Sequence, residues 1–197
     1  MTALAVSNVV LWLVVLALVC VVLALTRQLG VLHERIAPAG ALMINRGPAV
    51  GEQVAPMTVN DLAGQELHLG AARSDGKSTL LLFLSPSCPV CKALLPVLRA
   101  SREQERDWLA IVLASDGEAS EHRQFVQQHH LGDFPYVVSA ALGLNYQVNR
   151  LPFAALLDPS GVLRARGLVN SREHLESLFE AQRLGVASLQ EYFSSHA

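Results

Sequence analysis

Two cysteines separated by two residues, in the segment Cys88-Pro89-Val90-Cys91, are the side chains best suited to chemistry in this sequence. They follow an apolar, strand-like run at 80–84 and precede a helix-like segment at 92–100. On the first turn of a helix, two sulfurs at this spacing can close a small disulfide ring. The unpaired N–H groups of that turn also favour the thiolate of the first cysteine. This strand–CxxC–helix context indicates a dithiol redox pair.

The residues around the cysteines suit the start of a helix. Pro89 fits the first helical position, where its missing N–H is not needed, Val90 separates the two thiols, and Pro96 should kink the same helix. No second CxxC or HxxxH pair completes a zinc site, so we expect no metal. We expect Cys88 to form a mixed disulfide with a client protein and the deeper Cys91 to resolve it. An inert structural disulfide remains the alternative.

The elements that must position this pair alternate between strands and helices, which predicts an α/β sheet covered on both faces. Other polar side chains are expected in solvent (Lys92, His122, His129, His130) or at turns and caps (Asp116, Glu118, Asp158). The predicted strands and helices are a hairpin at 57–69, strands at 80–84, 108–114, 136–139, 153–157 and 162–168, and helices at 88–100, 118–131, 140–146 and 171–184.

The N-terminus carries an unbroken apolar run at 9–25, within which Cys20 is expected to be an ordinary apolar residue. Extended back to Ala3, the run gives about 23 residues, or roughly 34 Å of helix, enough to span a bilayer. No basic residue precedes it and no small-x-small site follows it, which disfavours a cleaved signal peptide. We therefore expect a transmembrane anchor at 1–25, a juxtamembrane connector at 26–48 and a folded domain at 49–197.

Charge and chemistry give opposite predictions for the side of the membrane that this domain faces. Arg27 and Arg35 follow the apolar run and favour the cytoplasm, whereas disulfides persist outside the cytosol. The net charge of −2 supplies no basic field for nucleic acid, so that class of partner is not expected.

The active-site segment and a later proline resemble the thioredoxin superfamily. Cys88-Pro89-Val90-Cys91-Lys92 with Pro96 matches that family's active-site helix, and Leu151-Pro152 before the strand at 153–157 matches its cis-proline. The resemblance implies a thioredoxin-like fold, a mixed central sheet flanked by helices, in which Pro152 and Leu151 position the substrate. Many thioredoxins carry a buried acid six residues before the first cysteine. Here that position is Leu82, which weakens the case for a general reductase.

Five segments carry a closer resemblance: the N-terminal apolar run, 46–51, 85–92, 151–154 and, most distinctively, 167–178. Through them the whole chain is similar to the MauD family of methylamine utilization proteins. The resemblance implies a single-pass protein of the inner (cell) membrane whose domain faces the periplasm. It also implies a client, the methylamine dehydrogenase small subunit, and a membrane redox partner from the same gene cluster. No cofactor is expected beyond the redox-active Cys88–Cys91 disulfide.

Two other functions remain open at this point. One is a periplasmic thiol reductase of the cytochrome-c-assembly type. The other is a non-catalytic export chaperone or scaffold for the subunit, in which CxxC is merely structural. The direction of electron flow is not fixed by the residues.

Overall fold

A computed structural model describes residues 6–8, 10–22 and 47–184. The chain divides into two compact units, residues 1–44 and 45–197. In the first unit, residues 6–8 and 10–22 are helical (α1), and apolar side chains such as Trp12 are exposed. Part of the predicted anchor and most of the predicted connector lie outside the described residues. Within the described ranges, no helix combines the length and the apolar character needed to cross a membrane.

The second unit confirms the predicted α/β class, with every predicted strand and helix present within a few residues of its expected position. Two short strands form the first β-hairpin, strands and helices then alternate as far as the sixth strand, and a second hairpin and a helix end the described chain. In order, the elements are β1 (Met57–Asn60), β2 (Glu66–Leu69), β3 (Ser78–Phe83), α2 (Pro89–Gln104), β4 (Leu109–Ser115), α3 (Ala119–Gln128), β5 (Tyr136–Val138), α4 (Ala140–Asn145), β6 (Phe153–Leu157), β7 (Leu163–Leu168) and α5 (Arg172–Leu184).

The central sheet has five strands in the order β5-β4-β3-β6-β7, beside a separate β1-β2 hairpin. β3 is parallel to β4 and antiparallel to β6, so the sheet is mixed. All six residues of β3 are buried, because both of its faces are covered. This explains why its sequence is a continuous apolar run rather than an alternating one.

Side chains of β3 alternate between two apolar clusters, one on each face of the sheet. Leu80 and Leu82 point to the side that also holds Cys91 and Leu98 of α2. Leu81 and its neighbours on the same side pack into the second cluster, with residues of the β1-β2 hairpin. The active-site helix is therefore fixed to one face of the sheet by its own buried stripe, which begins at Cys91.

The turn between β6 and β7 is held by Asp158, as predicted for this residue. Its Oδ1 accepts hydrogen bonds from the backbone N–H groups of Ser160 (2.9 Å) and Val162 (3.0 Å). Its Oδ2 pairs with Arg164 at 2.7 Å. Gly161 has a φ of +87°, a left-handed conformation that suits glycine. The turn joins β7 to β6, the strand that begins immediately after Pro152.

Candidate active site

The cysteine pair lies where the chain leaves β3 and enters α2. Cys88 is the N-cap of the helix, with extended backbone (φ −86°, ψ 114°), and Pro89 follows within the first turn. The backbone N–H of Cys91 donates to Cys88 Sγ at 3.3 Å. The first sulfur thus accepts one of the N–H groups that a helix leaves unpaired at its start, a contact that stabilises negative charge on it. Pro96 lies inside α2, and the predicted kink there stays a prediction.

The two sulfurs differ strongly in their surroundings, although both cysteines are free thiols in the structure. Cys88 is half-buried, whereas Cys91 is 1% exposed and packs into the core beneath the helix. Burial, with a smaller contribution from Cys88, raises the pKa of the Cys91 thiol from its ordinary 9.0 to about 12. Cys91 is therefore a protonated thiol at neutral pH, and Cys88 is the sulfur that another molecule can reach.

Pro152 lies at the same edge of the sheet as the cysteines. Phe83 pairs with Phe153 across β3 and β6, so Pro152 stands just beyond the point where β3 ends. The Leu151–Pro152 peptide bond is cis, as the family resemblance implied. The carbonyl of Pro152 accepts the N–H of Val169 at 3.0 Å, which ties it to β7. The structure thus brings the CxxC segment and the predicted substrate-positioning residues to one edge.

Exposed apolar side chains also occur at this edge. Val90, between the cysteines, is 41% exposed, and Leu151 is 37% exposed. Leu168, opposite Phe153 in the sheet, is 43% exposed. Leu151 also lines an open groove of about 320 Å³, whose other walls include Leu84, Ser115, Leu144 and Arg150. An extended peptide that approaches the sulfurs along this edge would contact these apolar side chains.

Comparison with known proteins agrees with this geometry. A family model described as Thioredoxin-like matches residues 76–163, which include the CxxC segment and Pro152. The methylamine utilization protein MauD of Paracoccus denitrificans is 46% identical over 189 residues, covering 96% of this chain and 94% of the relative. MauD of Methylophilus methylotrophus is 47% identical over 187 residues, covering 94% and 87%. The chain belongs to the MauD family.

Solved structures place this MauD-family chain in the thioredoxin-like fold. StoA from Bacillus subtilis is 21% identical with a TM-score of 0.55, covering 67% of this chain and 99% of StoA. MTB dsbF is also 21% identical with a TM-score of 0.55, covering 68% and 98%. At these identities the likeness shows the fold alone, and the predicted thioredoxin-like fold is confirmed.

One polar side chain of this MauD-family chain was placed wrongly from the sequence. His122 was predicted to be solvated, but it is 1% exposed and hydrogen bonds to Tyr136 and to the carbonyl of Asp116. The helix looked polar on most faces, yet His122 lies three residues before the buried Phe125, on the stripe that faces the core. That helical spacing was the signal available in the sequence. His130 is exposed, as predicted, whereas the nearby His129 is half-buried.

Two further points concern Lys92, beside the cysteines, and side chains that could bind a metal ion. Lys92, next to Cys91, is exposed, in keeping with its predicted solvation. In the part of the chain that the structure describes, no group of three or more His, Cys, Asp and Glu side chains could hold a metal ion. Sequence reasoning did not anticipate that Tyr136 lies buried in the apolar cluster that also contains Cys91.

Proposed function

We propose that this chain is a membrane-anchored thiol–disulfide oxidoreductase that assists maturation of the methylamine dehydrogenase small subunit. The observation that carries the proposal is the difference in exposure between the two thiols. Cys88 is accessible and capped onto a helix start, while Cys91 is buried, protonated and three residues away. A purely structural disulfide does not require one accessible and one buried sulfur. The client is proposed from membership of the MauD family.

The proposed reaction is a two-step exchange. The Cys88 thiolate attacks one sulfur of a client disulfide, forming a Cys88–client bond and releasing the other client sulfur as a thiolate. Cys91, having lost its proton, then attacks Cys88 Sγ, forming the Cys88–Cys91 disulfide and releasing the second client thiolate. The client is thereby reduced by two electrons and the pair is oxidised. The same steps in reverse form a client disulfide, and both directions together allow isomerisation.

The apolar edge supports binding of a protein client rather than a small thiol. Val90 and Leu151 flank the accessible sulfur and the cis peptide, and the groove continues past Leu151. We propose that the client chain lies across this edge and that the backbone of Leu151 and Pro152 orients it. Unfolded chains expose apolar side chains, so such a surface suits a subunit whose folding is unfinished.

The proposed setting is the cell membrane, with residues 1–25 as a single-pass anchor, 26–48 as connector and 49–197 as the thioredoxin-like domain on the periplasmic side. The apolar run at 9–25 and the exposed apolar side chains of α1 support the anchor. Repeated turnover requires a membrane redox partner that restores the Cys88–Cys91 pair, and a protein of the same gene cluster would serve. No other cofactor enters the proposed reaction.

Replacing Cys91 with Ala tests the proposal directly, in cells that assemble methylamine dehydrogenase. Without the resolving thiol, the mixed disulfide at Cys88 should accumulate and contain the small subunit, and reductant should release it. A Cys88→Ala variant is the matched control and should trap nothing. No trapped species with maturation intact would favour the scaffold function. A reporter fused after Ala197 tests topology, and reporter activity in the cytoplasm would contradict the periplasmic assignment.

A further inference from the structure

The segment between β3 and α2 has few backbone hydrogen bonds with which to hold Cys88 in place. Pro86 and Pro89 carry no backbone N–H, so neither of them can donate. Cys88 nevertheless has the extended backbone of an N-cap, and its sulfur accepts the N–H of Cys91 at 3.3 Å. The orientation of this sulfur has a chemical consequence only if Cys88 attacks. We therefore rest this inference on the proposed function, in which Cys88 is the attacking sulfur.

Ser85-Pro86-Ser87-Cys88 is a β-turn that ends on the accessible cysteine. The N–H of Cys88 donates to the carbonyl of Ser85 at 3.1 Å, the bond between first and fourth residues that is typical of such a turn. The Ser85 hydroxyl oxygen accepts the N–H of Ser87 at 3.3 Å, and the two serine hydroxyls lie 2.9 Å apart. A serine at the first position of a turn can bond in this way to the residue two places on. The side chain of Ser85 therefore closes the turn from within.

Both ends of this turn are fixed by hydrogen bonds to other elements. Before it, Leu84 donates its N–H to the carbonyl of Ala114 at 3.0 Å, and its own carbonyl accepts the buried hydroxyl of Ser115 at 2.7 Å. After it, the carbonyl of Cys88 accepts the N–H of Lys92 at 3.2 Å, the first hydrogen bond of α2. Because the turn joins two fixed points, its own shape sets the direction of the Cys88 side chain.

A second turn of the same design lies between β6 and β7. In Asp158-Pro159-Ser160-Gly161 the N–H of Gly161 donates to the carbonyl of Asp158 at 2.9 Å. The Asp158 carboxylate accepts the N–H of Ser160 at 2.9 Å and the Ser160 hydroxyl at 2.6 Å. Both turns have the order polar residue, proline, serine, but only the first ends on a cysteine. Ser160 therefore shows what such a serine contributes to folding alone.

We propose that Ser85 is the positioning residue of the attacking cysteine. Its hydroxyl holds Ser87, the residue before Cys88, so that the turn delivers Cys88 with its sulfur against the start of the helix. There the sulfur accepts the N–H of Cys91, a contact that favours the thiolate which attacks the client. Without the Ser85 hydroxyl the turn samples other shapes, in which the sulfur lacks this contact. Ser85 acts through the turn and does not itself react.

The test makes Cys88 the only thiol of the full chain. The sequence has three cysteines, so Cys20→Ser and Cys91→Ala leave one, and the backbone N–H of residue 91 is retained. The chain is held in detergent and mixed with dithiobis-nitrobenzoate. The Cys88 thiolate forms a mixed disulfide with half of the reagent and releases the other half as a coloured thiolate, whose appearance gives the rate. The variants compared in this background are Ser85→Ala, Ser85→Thr, Ser87→Ala and Ser160→Ala.

Loss of the Ser85 hydroxyl should slow the reaction of Cys88 in a chain that is still folded. At neutral pH, Ser85→Ala should lower the rate roughly two- to tenfold, the factor that corresponds to one hydrogen bond of typical strength. Ser85→Thr retains a hydroxyl and should keep the rate of the parent. Ser87→Ala should be slowed less than Ser85→Ala, because the N–H of residue 87 can still donate to the Ser85 oxygen.

Ser160→Ala separates positioning from folding. It removes the corresponding hydroxyl contact from the second turn, beyond the end of β6 that pairs with the start of β3 and away from the cysteines. In denaturant titrations Ser87→Ala and Ser160→Ala should both lower the free energy of unfolding, whereas only Ser87→Ala should slow Cys88.

Three results would overturn the role of Ser85. The first is a folded Ser85→Ala chain that reacts as fast as Ser160→Ala, and the second is a Ser85→Thr chain as slow as Ser85→Ala. If Ser85→Ala does not fold, a Ser87→Ala rate equal to that of Ser160→Ala is the third. The proposed function fails separately, if the Cys91→Ala chain traps no client in cells, whatever rate Cys88 shows with the reagent.

Discussion

Because Cys91 is buried, the rate at which its thiol is alkylated can be predicted. Replacing Cys88 with Ser leaves burial, the largest cause of the raised Cys91 pKa, in place. The shift from 9.0 to about 12 corresponds to a thiolate population about 10³-fold smaller at pH 8 than for an ordinary thiol. Thiolate is the species that is alkylated, and Cys88→Ser removes the smaller contribution of Cys88 to the shift. Cys91 should therefore react with iodoacetamide on the order of 10²- to 10³-fold more slowly in the folded chain than in the unfolded chain.

The assay is labelling followed by peptide mass spectrometry, which reads Cys91 separately from Cys20. The folded Cys88→Ser chain is compared with the same chain in guanidinium between pH 7 and pH 10. In the folded chain the Cys91 rate should still be rising about tenfold per pH unit at pH 10, whereas in the unfolded chain it should level off above about pH 9. Labelling of folded Cys91 within tenfold of the unfolded rate would refute the reasoning.

Three further predictions concern the free energy of unfolding, measured by denaturant titration. Leu98→Ala, at a fully buried position of α2, should lower it by about 3 kcal/mol, and a loss under 1 kcal/mol would contradict the core assignment. Gly161→Ala would place a Cβ 2.1 Å from the oxygen of Gly70 and should lose about 3 kcal/mol or more, while Gly64→Ala, also at positive φ but with no atom within 4 Å, should lose only about 1 kcal/mol. Equal losses would argue against the close contact. Asp158→Asn should lose about 2 kcal/mol at pH 7. The folded pKa of Asp158 is lowered by its hydrogen bonds, which outweigh its burial, so this difference should shrink as the pH falls below about 3.8, and a constant difference would contradict it.

Much of the fold could be predicted because its strongest signals are local. The buried strands are continuous apolar runs, and the helix after Cys88 begins with Pro89. Asp158 and Gly161 are typical of the turn they form. The pairing of β3 with both β4 and β6 could not be predicted from the periodicity of the sequence, because it depends on contacts between residues far apart in the chain.

The chemistry of the site was less predictable than its position. The CxxC spacing predicts which two sulfurs react, and the family resemblance predicts the substrate-positioning role of Pro152; both roles stay predictions. The degree to which Cys91 is buried depends on packing among β3, β4 and α2, which the spacing does not reveal. His122 was misjudged for a similar reason. A histidine on a helix with many polar neighbours looks solvated until the tertiary fold brings Tyr136 to its Nδ1.

The central claim is that Cys88 and Cys91 form a reversible redox pair, and the most direct measurement is their reduction potential in the full chain. Equilibration in glutathione buffers, with the disulfide located by mass spectrometry, gives the value. A potential nearer −120 mV would favour disulfide formation and one near −270 mV would favour reduction. We predict a reversible two-electron transition between about −120 and −270 mV. A Cys88–Cys91 disulfide that stays closed below about −300 mV, as structural disulfides do, would contradict the account.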